Sequence, residues 1–341
     1  MRRKAEIRRN APIISKESSQ IGFRSHLRPR TLVFFAILIA MIVIMGVLAV
    51  YDYQWTIWLN HHRVEWLDEF MGRTIFEGEG FGGGDAAVLF MAAALCFYIF
   101  AWVNPGHKRL EQWRPYLGFI TSAGFICGLF MVHSLKWVMG RARPGLVFTG
   151  GLAYSEWYRF GPHFVTEGIY RGSFPSGHTA AVLLFLTPAY IFLASPDQSR
   201  PRRAAGLIWG FLSLSYSVLM AIARTMTLSH WLSDCVFSIF FGWVIIHILY
   251  FWVLRVPDQD THYRHQGILI TTPKFWELRL CLLLSPVILG GMAMVIGGRS
   301  LYEYSVPWLG VLIPAGVFTG IFFWKRLHGL HKRVFGRHGG L

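Results

Sequence analysis

The chain has 341 residues, 54% of them hydrophobic and only 15% charged, with a mean hydropathy of +0.42. That balance excludes an ordinary soluble domain, whose surface needs more charge. A formal charge of +15 suggests nucleic acid at first sight, but its distribution along the chain argues for a membrane instead.

Eight apolar blocks have or approach the roughly 20 residues that cross a bilayer. They are 31–50, 86–102, 117–138, 179–194, 205–223, 235–254, 281–297 and 306–324, the fourth being short. The first follows a thirty-residue polar arm and is too long for the core of a cleavable signal, so it reads as a span. With an inner N-terminus and alternating spans, 24 of the 33 Lys and Arg fall on one side and 11 of the 18 acids on the other. This is the positive-inside bias. The basic arm 1–30 and the tail after residue 324 then read as topology signals that touch anionic lipid heads, and no nucleic-acid partner is expected.

In chain order, loop 51–85 is aromatic and acidic and ends in "EGEGFGGGD". Glu77, Glu79 and Asp85 there suggest a cation site or, equally, a flexible loop bordering a lipid entrance. His61 and His62 in "NHHRVEW" lack partner spacing for a metal and read as interfacial. The third span holds Gly124 and Gly128 at GxxxG spacing, which close helix packing explains. Trp157, Tyr158, Phe160 and Tyr170 in loop 139–178 read as an interfacial aromatic belt. Cys96, Cys127, Cys235 and Cys281 lie in apolar blocks without CxxC spacing, so neither disulfides nor a zinc site is expected. The inner loop 255–279 separates six spans from a final pair.

Three polar clusters fall at the outer ends of spans: "KWVMGRARP" (136–144), Ser173 to His178, and "ARTMTLSHWLSD" (223–234). Lys136, Arg143 and Arg224 supply cationic donors for phosphate oxygens. Lys136 alone reads as a residue snorkelling to the interface; the added motifs change that reading. Arg141 reads as either a site residue or a flanking one. Ser176 and Gly177 precede a helix, whose free N–H groups favour an anion. His230 and Asp234, four apart, share a face if helical, so the carboxylate can orient the imidazole for nucleophilic attack. His178 can protonate the leaving oxygen. Together these parts suit phosphoryl transfer through a phosphohistidine, with no metal and no cofactor.

The motifs K-x6-RP (Lys136, Arg143, Pro144), PSGH (Pro175 to His178) and R-x5-H-x3-D (Arg224, His230, Asp234) resemble the type-2 phosphatidic acid phosphatase family, the membrane acid phosphatases related to vanadium haloperoxidases. The resemblance covers the first six spans. It implies an all-α integral membrane protein with a six-span phosphatase core at 31–255; the basic arm 1–30 precedes it, and 256–341, outside the resemblance, reads as a cytoplasmic loop, a two-span appendage and a basic tail. It implies His230 as nucleophile, Asp234 as its support, His178 as general acid, and Lys136, Arg143, Ser176, Gly177 and Arg224 as phosphate ligands. Ala223 departs from the serine often found there, and Ser229 and Trp231 flank His230 unusually. The "SHWLSD" wording resembles the bacterial branch that includes lipid A phosphatases. The expected partner is a lipid phosphate or pyrophosphate (lipid A, undecaprenyl pyrophosphate or phosphatidylglycerol phosphate), met on the periplasmic side of a bacterial inner membrane. The alternatives are a lipid phosphotransferase with the same intermediate and a lipid transporter or binding protein. Spans charged chiefly at their ends count against transport.

Overall fold

The computed structural model describes residues 16–75, 80–104, 106–162, 172–195, 199–267, 269–270, 272–303 and 306–336. Glu77, Glu79 and Tyr170, and the basic arm up to residue 15, lie outside the described residues. Everything regular among the described residues is helical, as a bilayer demands of backbone that must satisfy its own hydrogen bonds.

The elements are α1 (Lys16–His61), α2 (Glu65–Gly72), α3 (Asp85–Val103), α4 (Lys108–Ala123), α5 (Val132–Met139), α6 (Pro144–Phe148), α7 (Gly177–Val182), α8 (Thr187–Leu193), α9 (Arg200–Met226), α10 (Leu232–Ile248), α11 (Val256–Gln266), α12 (Trp276–Glu303) and α13 (Leu312–Phe335). A π-helical stretch, Gly124–Met131, joins α4 to α5, and a 3-10 turn, Leu183–Leu186, joins α7 to α8. Among the described residues, seven helical rods are long and apolar enough to cross a membrane. They match seven of the eight expected spans.

The fourth expected span is the exception. Gly177–Leu193 is shorter than the others, and its middle is the centre of the bundle. Ala180, Val182, Leu183 and Leu184 are completely buried, packed by α3, α9, α10 and the π stretch. Close approach there is helped by Gly242 of α10, where a Cβ would fall 2.7 Å from Leu183. A segment surrounded by protein need not match the bilayer thickness. Outward, α1, α9, α12 and α13 present Leu32, Ile42, Phe211, Leu282 and Phe318, the apolar belt that lipid covers.

Local chemistry sets the ends that matter. Gly140, at φ +57°, closes α5 in the left-handed conformation and donates its N–H to the Lys136 carbonyl at 3.1 Å. Glycine reaches that region without the Cβ penalty, so the chain can turn sharply out of the helix. Pro144 then opens α6 at a position where no N–H is needed. Three residues of connection are left, and they carry Arg141 and Arg143.

The final two helices form a hairpin in which Gly290 and Gly316 let the backbones touch. A Cβ on Gly290 would lie 2.7 Å from the Gly316 carbonyl oxygen. The hairpin packs through α12 on α4, the π stretch and α5. Gly124 packs against Met91 of α3, where a Cβ would stand 3.0 Å from the sulfur, in keeping with the close-packing reading of its GxxxG spacing. Among the described residues the cysteines form no disulfide; three are buried, and Cys96 is exposed on α3.

Candidate active site

The three motifs meet around one cavity of about 300 Å³ at the ends of α3, α5, α7 and α9. Six of the eight expected site residues line it: Lys136, Arg143, Gly177, His178, Arg224 and His230. Lys136 projects from the last turn of α5 and donates to the Gly172 carbonyl at 3.1 Å. Arg224, on the last turn of α9, is 7% exposed and donates to the Gly72 carbonyl at 3.3 Å. Three cations thus surround one small space, with two histidines among them.

His230 is buried, and its Nδ1 lies 2.7 Å from the Ser173 carbonyl oxygen. A carbonyl only accepts, so Nδ1 carries the proton and Nε2 is left with its lone pair. Burial, and then the charges of Lys136, Arg224 and Arg143, hold the His230 pKa well below the usual histidine range. The ring is therefore neutral at pH 7.

The expected helix face shared by His230 and Asp234 does not form. His230 lies ahead of α10, whose N-cap Trp231 has extended dihedrals of −70° and 152°. Asp234 Oδ2 stands 3.7 Å from His230 Nδ1, too far for a hydrogen bond. Ser173 bridges the two instead. Its carbonyl receives the imidazole proton, its hydroxyl donates to Asp234 Oδ2, and its N–H donates to the Arg141 carbonyl at 2.7 Å.

Asp234 and Ser176 are completely buried and do not line the cavity. Ser176 caps α7, its Oγ accepting from the Thr179 hydroxyl at 3.0 Å. Arg141 is neither a phosphate-facing residue nor a surface flank. Its guanidinium is wholly buried, donating to Asp234 Oδ1 at 2.6 Å, Asp52 Oδ2 at 2.8 Å, the Ser233 hydroxyl at 2.7 Å and the Ser155 carbonyl at 2.8 Å. Asp52, from α1, also accepts from the Ser233 N–H at 2.8 Å. This Asp52–Arg141–Asp234 triad joins α1, the turn after α5 and the start of α10. Leu228, left-handed at φ +55°, adds a strap through its carbonyl, which accepts from Gly145 N at 3.0 Å.

The glycine-rich run is tightly held rather than flexible in its described part. Asp85 accepts from the Thr74 hydroxyl at 2.7 Å and from the N–H groups of Gly82 at 2.9 Å and Ile75 at 3.0 Å. A Cβ on Gly84 would come within 2.8 Å of His178 Cδ2. Gly84 and Asp85 also line the cavity. Among the described residues no cluster of metal-binding side chains occurs. His62 accounts for itself by stacking on Trp58, with centroids 4.3 Å apart.

Two neighbours complete the geometry. Val88, Gly128, Val132 and Ala181 form an apolar wall on the side of α3 and the π stretch. A larger polar chamber of about 640 Å³ shares Arg143 and Arg224 with the cavity and adds Arg63, Asp68, Glu69 and Arg73.

Residues 112–258 match the model of the PAP2 superfamily. That stretch is similar to the PAP2 superfamily. All eight expected site residues fall inside that stretch, whereas α1 to α3, α12 and α13 lie outside it. No curated protein and no solved structure matches the chain. PAP2 family members are phosphatases, and that similarity and the apolar helices together support a multi-pass membrane phosphatase. Motif reading missed Asp52 and gave Ser173, though inside a polar cluster, no role of its own. Asp52 had a signal, an acid at the edge of an apolar block; Ser173 had none beyond standing near PSGH.

Proposed function

We propose that this membrane phosphatase hydrolyses a lipid phosphate or pyrophosphate through a phosphohistidine on His230. The observation that carries the reading is the commitment of His230 Nδ1 to the Ser173 carbonyl. It leaves Nε2 as a neutral nucleophile beside Lys136, Arg143 and Arg224. In the first step Nε2 bonds to phosphorus while the P–O bond to the lipid breaks, and His178 gives its proton to the departing oxygen. In the second, His178 takes a proton from water as that water displaces Nε2 from phosphorus. The three cations and the backbone at Gly177 hold the phosphoryl oxygens as their charge builds. No step calls for a metal.

The apolar wall between α3 and the π stretch suits the lipid chain. The polar chamber suits a bulky polar headgroup, since Asp68 and Glu69 can accept sugar hydroxyls and Arg63 and Arg73 can meet further charge. Among lipid A, undecaprenyl pyrophosphate and phosphatidylglycerol phosphate, that chamber favours lipid A. With the basic loops inside, the cavity faces the periplasm of a bacterial inner membrane. The division that goes with this reading is a core at 31–255 and a two-span appendage beyond it.

The test is phosphate release from these three lipids by purified protein, in excess chelator and without acceptor lipid. Release is expected with lipid A fastest, and vanadate should inhibit. A requirement for an added lipid alcohol would make the protein a phosphotransferase. Acid-labile phosphate trapped on the protein should vanish in His230→Ala; its persistence would overturn the nucleophile assignment.

A further inference from the structure

Arg299 sits near the outer end of α12, outside the matched PAP2 stretch, yet it is 3% exposed and reaches into the core. Its Nη1 donates to the Val138 carbonyl at 3.0 Å and more weakly to that of Met139 at 3.4 Å. Its Nη2 donates to the Gly161 carbonyl at 2.5 Å, and its Nε to Glu303 at 2.5 Å. Phe160 lies under the guanidinium, 5.0 Å from its ring centroid.

The carbonyls it takes are significant. Val138 and Met139 end α5, where helix carbonyls have no partner within the helix and the dipole end is negative. A forked cation satisfies both needs at once, and a lysine cannot reproduce the fork. Gly161 belongs to the same knot. Its N–H donates to the Met139 carbonyl at 2.7 Å, and a Cβ there would stand 2.4 Å from the Gly140 oxygen and 2.5 Å from Arg141 Cα. Lys136 lies one turn before this knot; Arg141 and Arg143 follow directly after it.

We propose that Arg299 is a positioning residue for the phosphate site, and that the two-span appendage belongs to the working enzyme by clamping the end of α5 through it. The inference rests on the phosphatase reading of that site. The partners named above are the ends of the α5 knot and Glu303, so Arg299 acts by fixing the backbone from which Lys136 and Arg143 project.

The experiment compares full-length wild type, Arg299→Gln, Arg299→Lys and Gly161→Ala in detergent. Arg299→Gln should lower kcat/KM between about 10- and 100-fold, the scale of an ångström-sized misplacement, and weaken vanadate inhibition in parallel. Arg299→Lys should recover part of both. Gly161→Ala perturbs the knot from the opposite side and should give the same pattern. The double variant should lose less than the product of the two single losses, because both disturb one contact. Amide hydrogen exchange over residues 138–145 should be faster in Arg299→Gln than in wild type. Wild-type kinetics and vanadate inhibition in a folded Arg299→Gln protein would overturn the proposal. If that variant does not fold, wild-type values in Gly161→Ala would do so. Unchanged exchange at 138–145 overturns it whatever the substrate proves to be. A wild-type protein releasing no phosphate sinks the phosphatase reading instead.

Discussion

Gly84→Ala is a small change with a calculable effect on the proposed general acid. Gly84 has φ −73° and ψ −31°, ordinary right-handed values that alanine adopts without strain. The added methyl would lie 2.8 Å from His178 Cδ2 and 3.6 Å from its Nε2. Carbon atoms rest about 3.5–4.0 Å apart, so the imidazole must retreat by roughly 1 Å. It borders an open cavity, so it can move there with little loss of fold stability. A misplacement of that size costs about 10²-fold when a reacting group must be aligned, within the roughly 10²–10⁴-fold that general acid catalysis supplies. The assay is the rate of phosphate release from a lipid alkyl phosphate and from nitrophenyl phosphate. The alkyl oxygen needs a proton to leave and should show the full loss; nitrophenolate leaves unaided and should show a much smaller one. His178→Ala should show the same contrast more strongly. Equal losses on both substrates would refute the general-acid role, and wild-type rates on both would refute the contact between Gly84 and His178.

Asp52→Ala should destabilise the protein by about 3–5 kcal/mol, the cost of removing one partner from a buried ion cluster, read as earlier thermal unfolding in detergent; an unchanged transition would contradict the triad. His230 bears on pH through its lowered folded pKa: below about pH 6.5 the unfolded chain binds a proton that the folded site refuses. Stability from this residue is therefore lost as pH falls, by up to about 1.4 kcal/mol per pH unit. His230→Gln should flatten the stability profile between pH 7 and 5, and an identical profile would contradict the neutral, buried ring. In intact spheroplasts an impermeant maleimide should label a cysteine placed at Glu156 and spare one at Arg109; the reverse pattern would invert the proposed topology.

Much of this architecture was legible because the bilayer simplifies the reading: a long apolar block becomes a helix, and the count of blocks gives the count of rods. The exception, Gly177–Leu193, is a helix whose surroundings are protein, and nothing in its composition distinguishes those from lipid. Motif spacing brought Lys136, Arg143, His178, Arg224 and His230 to one end of the bundle for a similar reason, since each stands near the end of a helical rod. Fine geometry did not follow from spacing. The i, i+4 relation of His230 to Asp234 presumed a helix that begins only at Leu232. The run Gly82–Gly84 shows the same limit from another side, because a glycine for flexibility and a glycine for contact are spelled alike.

The residues that escaped the motif reading share a physical cause. Asp52, Ser173 and Arg299 act on partners far along the chain, Asp52 meeting Ser233 across 181 positions and Arg299 meeting Val138 across 161. None lines the cavity; Ser173 holds His230 directly, whereas Asp52 and Arg299 hold Arg141 and the end of α5 beside it. A catalytic side chain announces itself because chemistry restricts its type and its neighbours. A supporting charge is restricted only by what it must reach, and that is decided when helices pack. What such a residue does leave in sequence is its cost: an ionisable group in or beside an apolar span is expensive unless it is paired. Asp52 in the C-terminal part of the first rod and Arg299 near the C-terminal end of α12 both carry that mark. In a membrane phosphatase of this kind, charges that no motif claims are therefore the places to look for the frame around the site.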